Sequence, residues 1–107
     1  MRKLMVAWFA LVVLALVAAP GLAAPSKTFT GYVSDAMCGL DHMGQDPKMC
    51  TLKCVEKGSK FVLADKSAKK VYQLDDQTKP REFAGARVKV TGELEGETIH
   101  VETIEAA

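Results

Sequence analysis

Beyond Pro25 the chain alternates apolar and polar positions in short runs separated by turn residues. Thr28 to Ser34 (TFTGYVS) is rich in Thr, aromatic and β-branched residues and predicts a first strand, with Gly31 as a bulge or close-approach point. Lys60 to Asp65 (KFVLAD) and Lys70 to Asp75 (KVYQLD) predict two further strands, joined as a hairpin by Lys66 to Lys69. From Arg87 to Leu94, Val88, Val90 and Leu94 fall on one face while Arg87, Lys89 and Glu93 fall on the other. Glu95-Gly96 then makes a tight turn, and Thr98 to Ile104 returns with Ile99 and Val101 inward.

One helix is expected between the first two strands. Asp46 suits its N-cap, Pro47 its first turn, and Gly58 the position just past its end. Thr78 to Ala86 predicts a short helical turn that tucks Phe83 under the sheet. The order is strand, insertion with helix, strand, strand, turn, strand, strand. It predicts a mainly β fold, a small five-stranded OB-like barrel with one short helix between strands 1 and 2. An open sheet covered by the helix is the alternative.

The first residues follow a different pattern. Arg2 and Lys3 precede a charge-free apolar run from Leu4 to Ala19, which Pro20-Gly21 breaks. Small residues at Gly21 and Ala23 fit a signal-peptidase site. The run is shorter than the roughly 18 residues a spanning helix needs. The reading is a cleaved signal peptide at 1–23 and a single domain at 24–107, exported to the periplasm or outside the cell. No Cys just after the site marks a lipid anchor.

Composition narrows the class. Without Arg2 and Lys3 the 14 basic residues fall to 12 against 13 acidic ones, a net charge of −1. That balance argues against a nucleic-acid surface or a polybasic membrane patch. A mature chain of about 83 residues holds one small core and gains from a disulfide or metal staple. It is too short for a multi-domain enzyme with a deep cofactor cleft. No Ser-His-Asp set, phosphate loop or paired-carboxylate motif is visible, so the chain is read as a binding protein, not an enzyme. The lone Trp8 lies in the signal, leaving Tyr32 and Tyr72 as weak stacking candidates.

The candidate chemistry is concentrated in the insertion at 35–58. Cys38, His42, Cys50 and Cys54 form a soft donor set, with Met37, Met43 and Met49 as auxiliary donors; copper or zinc is the ion such a set would take. Cys50 and Cys54 are one helical turn apart and share a face. A helical stripe of Met49, Leu52 and Val55, packed on the barrel, would aim both thiols at the loop carrying Cys38 and His42. The competing reading pairs Cys38 with Cys50 or Cys54 as a disulfide that staples the insertion, worth about 3 kcal/mol in the chain-entropy account. That leaves one odd cysteine, which opens a minor redox role. Asp35 is read either as a partner orienting His42 or as the end of the strand. His100 is expected on the outer face beside Glu102, Asp75-Asp76 in a turn, and Glu93, Glu95 and Glu97 on a solvated face.

The stretches TGYVSDAMCGLDHM, MCTLKCVEKGSKFVL, KVYQLD and FAGARVKVTGELEGETIHV carry a resemblance. Together they resemble a family of small exported bacterial proteins of unknown function with a Cys/His insertion, over Thr28 to Ile104. Gly31, Asp35, Cys38, His42, Cys50, Cys54 and Gly58 are its distinctive half. Phe83 to Leu94 is similar to the closing strands of bacterial OB-fold (BOF-type) exported proteins. The resemblance implies an OB-like barrel in which Cys38, His42, Cys50 and Cys54 act as a set, and supplies no activity. Two functions follow as expectations. One is an exported protein binding a soft metal ion; the other is a disulfide-stapled module binding a peptide, sugar or envelope partner without metal.

Overall fold

A computed structural model describes residues 25–42 and 46–107. Residues 1–24, which include the expected signal peptide and Trp8, and residues 43–45, which include Met43, lie outside the described residues. β1 spans Lys27–Asp35, α1 Pro47–Glu56, β2 Phe61–Asp65, β3 Lys70–Leu74, β4 Arg87–Glu95 and β5 Thr98–Ala106, with a 3₁₀ turn at Lys79–Phe83. The protein is mainly β, with five strands in one sheet and one α-helix among the described residues.

The strand pairings run β1-β2-β3-β5-β4 and return to β1, so every strand is bonded on both sides. Alternating polar and apolar residues suit such a sheet, because its inner face is dry and its outer face wet. β1 pairs antiparallel with β2 (Val33 opposite Leu63) and with β4 (Gly31 opposite Val88). The ring closes through a short parallel contact, Gln73 opposite Thr98 and Leu74 opposite Ile99. An irregularity at Thr91/Gly92 bends β4 against β5. Gly31 is a close-approach point: a side chain there would stand 2.6 Å from the Ala64 carbonyl oxygen.

Val33, Phe61, Leu63, Leu74, Ala84, Val88, Val90 and Ile99 form the buried core. Each fully buried aliphatic side chain contributes roughly 1.5–3 kcal/mol of transfer free energy. Phe83 packs partly buried against this core from the 3₁₀ turn, beside a buried Pro80. Gln77 is a polar component that the strand pattern did not reveal. Its amide accepts from Phe61 N–H at 2.7 Å and donates to Phe61 and Leu74 carbonyls at 3.0 and 2.9 Å. It thereby satisfies backbone groups at the start of β2.

α1 forms where expected. Asp46 Oδ1 accepts from Lys48 and Met49 N–H at 2.9 and 3.3 Å, and Pro47 opens the first turn. Gly58, at φ 102°, ends the helix in a conformation that disfavours any side chain. The helix seats on β1 and on the 84–86 loop, where Val33 bridges Ala84. Gly85 has φ 77°, and an added Cβ would lie 2.7 Å from Lys48 Cα, so the helix N-terminus rests directly on the glycine backbone.

The buried helical face differs from the expected stripe. Leu52 and Val55 pack against the core, but Thr51 is the fully buried residue and Met49 is 57% exposed. At 3.6 residues per turn, Thr51, Val55 and Leu52 span about 100° centred near Val55. Met49 lies about 120° from that centre and is left in water.

Candidate metal centre

The site begins where β1 goes dry. Ser34 and Asp35 are fully buried at the strand's end, and Thr51 is buried beneath the helix. Asp35 also makes the turn that follows. Its Oδ2 accepts from the N–H groups of Met37 and Cys38, both at 3.0 Å, and its carbonyl accepts from Gly39 N–H at 2.8 Å. An aspartate that bonds to the backbone two and three residues on is the local device that reverses a chain. Here the reversal carries the Cys38 thiol back to α1.

α1 presents its other two thiols to the same point. Cys38 Sγ lies 3.2 Å from Cys50 Sγ and 3.9 Å from Cys54 Sγ. All three cysteines are free and partly buried. A carboxylate oxygen of Asp35 and the three sulfurs lie within 4.8 Å of one another. Asp35 Oδ1 is buried without a hydrogen-bond partner. A buried, unpaired carboxylate oxygen is costly unless a proton or a cation meets it.

The group's electrostatics favour a proton or a cation. The Cys38 thiol is pushed up to about 12, first by its contact with Cys50, then by burial, with Cys54 and Asp35 adding to the rise. Cys54 is also raised, chiefly by burial, with Asp35 adding and its contact with Cys38 opposing. Left alone, these sulfurs keep their protons. A metal cation inverts that balance and takes them as thiolates.

The donor set fits such an ion. A tetrahedral ion with sulfur bonds of about 2.3 Å places its sulfurs about 3.8 Å apart, a separation that lies between the 3.2 and 3.9 Å from Cys38 to its two neighbours. Cys38, Cys50, Cys54 and Asp35 would hold it. Such an ion would also offset the charge of a buried carboxylate whose Oδ1 has no hydrogen-bond partner.

The fourth member is Asp35, where the sequence pattern points to His42. Residues 36–40 form a turn, and His42 follows it before α1 begins. The ring instead turns to Ser34, with Nε2 3.4 Å from its Oγ. Ser34 Oγ donates to the Gly39 carbonyl at 2.8 Å, so it accepts from His42 Nε2–H. His42 Nδ1 is buried without a partner. Met37 is 72% exposed, so of the auxiliary methionines both Met37 and Met49 stand in water. Asp35 is the residue that sequence reasoning placed at one remove from the metal. Its available signal was its position, a carboxylate at the buried end of a strand three residues before a cysteine.

Other candidates fall elsewhere. His100 lies on the outer face as expected, half-exposed, and is held between Asp75, 3.1 Å from Nδ1, and Glu95, 2.7 Å from Nε2. Glu95 and then Asp75 raise its proton affinity. Asp75 lies below the usual carboxylate range, chiefly because it accepts from Val101 N–H. Asp76 caps the 3₁₀ turn through Thr78 and Lys79 N–H. Tyr72 stacks on Phe29 at 5.2 Å, and Lys66 lies over Tyr32 at 4.7 Å, so neither ring is a bare platform.

Fold and site together define a small five-stranded protein with a thiol-rich cluster at the end of its first strand. Residues 54–107 match the family described as "Protein of unknown function (DUF5818)", and the chain belongs to that family. The match takes in Cys54 and the strands β2 to β5, and begins after Asp35, Cys38 and Cys50. No curated protein and no solved structure matches the chain.

Proposed function

We propose that this protein is an exported binding protein of OB-like barrel type that holds a soft metal ion, copper or zinc. The observation that carries this reading is the convergence of three sulfurs and a carboxylate oxygen of the buried Asp35 within 4.8 Å of one another. Three sulfurs alone suit Cu⁺, whereas the added carboxylate favours Zn²⁺. The strand order and the closed ring of pairings support the barrel. Arg2, Lys3, the apolar run and the small residues at Gly21 and Ala23 support export.

Cobalt titration of the reduced protein tests the site, because tetrahedral Co²⁺–thiolate bonding gives strong charge-transfer absorption that zinc then bleaches. Cys38→Ser and Cys54→Ser should each abolish this signal while the β-sheet circular dichroism persists. Unchanged metal uptake in both variants would overturn the proposal. The 3.2 Å approach of Cys38 to Cys50 favours the second reading, a disulfide-stapled module with a peptide, sugar or envelope partner. In that case reductant lowers the melting temperature and chelator does nothing.

A further inference from the structure

We infer that the cluster is a redox-gated metal site, in which a Cys38–Cys50 disulfide and a bound metal ion exclude each other. The inference rests on the metal-site reading above and adds its regulation.

The geometry selects one pair of cysteines. Cys38 and Cys50 sulfurs stand at 3.2 Å, about 1 Å from the bonded separation, whereas Cys38 and Cys54 stand at 3.9 Å. Cys38 sits on the turn made by Asp35, and Cys50 lies in the first half of α1. Side-chain rotation of the two can close the gap without moving a strand. Cys50 and Cys54 are fixed to one rigid helix a turn apart, so their bridge would demand a distorted backbone.

The remaining groups are provided for in either state. With metal bound, the ion meets the Asp35 carboxylate and all three thiolates. With Cys38 bonded to Cys50, two of four donors are gone and the ion cannot be held. Cys54 then remains as the one unbridged thiol of the three. A fixed odd thiol follows directly from three cysteines in one cluster.

The chemistry balances with a small-molecule disulfide as the oxidant. One thiolate of the Cys38, Cys50 pair attacks a sulfur of the oxidant, forming a mixed disulfide and expelling one small thiolate. The other thiolate attacks the protein sulfur of that mixed disulfide and expels the second. Two electrons pass from the protein sulfurs to the oxidant, the metal dication leaves, and Cys54 takes a proton from water. An exported chain would meet disulfide oxidants of this class.

The test uses the full chain, reduced and loaded with zinc, then treated with oxidised glutathione while a chromophoric chelator reports free zinc. Proteolytic peptides are mapped in parallel. The expected result is release of the zinc as a Cys38–Cys50 linkage appears, and recovery of binding after dithiothreitol. Affinity in the oxidised state should fall by more than the roughly 10- to 100-fold that losing an outer-shell partner costs. Cys54→Ser should still form the Cys38–Cys50 linkage, which reads the pairing independently of metal. Zinc retained by the mapped disulfide form, or a linkage through Cys54 in the native chain, would overturn the inference. Failure of the reduced chain to bind zinc at all would overturn the metal reading itself, and the switch with it.

Discussion

Asp35 accepts the Cys38 N–H at 3.0 Å through Oδ2 and leaves its other oxygen, Oδ1, buried without a hydrogen-bond partner. One side chain thus builds the turn that delivers a cysteine and supplies an oxygen donor beside it. The two roles can be separated. Asn in place of Asp35 keeps an oxygen that accepts from Met37 and Cys38 N–H but removes the charge.

Asp35→Asn is therefore expected to keep its fold and to weaken zinc binding by at least about 10-fold, a loss comparable to that of an outer-shell carboxylate. Competition against a chromophoric chelator measures the affinity, and a thermal melt the fold. Equal affinity in the two proteins would remove Asp35 from the site.

Gly85 sets the position of α1. Ala at that position must adopt φ 77° and push its Cβ against Lys48. Gly85→Ala should destabilise the protein by more than about 1 kcal/mol and also lower metal affinity, because Cys50 lies two residues beyond Lys48. Urea denaturation followed by metal titration checks both effects. A stability loss without an affinity loss would show that Cys50 is positioned independently of this contact.

Gln77 stands in for a strand partner. Gln77→Ala leaves the Phe61 N–H and two carbonyls without their acceptor and donor. A loss of about 1–3 kcal/mol is expected from the stranded backbone groups. Equilibrium urea unfolding measures it. Metal affinity should not change, since Gln77 touches none of the four donors.

The Asp75, His100, Glu95 set makes stability depend on pH in two directions. The folded protein raises His100 above its ordinary 6.5, so its contribution is complete below that value and fades as pH rises through the raised one. Asp75 is lowered from 3.8, so its contribution is complete above that value and fades as pH falls through the lowered one. The melting-temperature gap between the native chain and His100→Gln should be wider near pH 5.5 than near pH 8.5. Added salt should narrow it, because the groups are half-exposed or more. A gap independent of pH would assign His100 a packing role alone.

β4 was the most legible strand because a sheet with one dry face imposes a period of two, met by buried Val88 and Val90 between exposed Arg87 and Lys89, whereas β1 was legible through its Thr, aromatic and β-branched residues. The helix was legible because Asp46, Pro47 and Gly58 act on their own neighbours, through capping, a preset φ and a left-handed stop. Cys50 and Cys54 were legible as a pair for the same local reason. Met49 was misplaced because three apolar residues can be drawn as a stripe in more than one way. The choice fell to Thr51, whose burial depends on what β1 offers opposite it. His42 was read with the cysteines because it shares their loop, and only the fold turns its ring to Ser34 Oγ.

The sequence alone determined which segments become strands, where the helix starts and stops, and that soft donors crowd into one insertion. Those features arise from interactions within a few residues, and such interactions are written in order along the chain. The tertiary structure alone decided that the sheet closes where Gln73 and Leu74 of β3 meet Thr98 and Ile99 of β5, that Gly85 carries the helix, and that Asp35 takes the place beside three thiols. These depend on contacts between residues far apart in the chain. Which partner each of them meets is fixed by how the strands pair and how the core fills, and no local pattern records it.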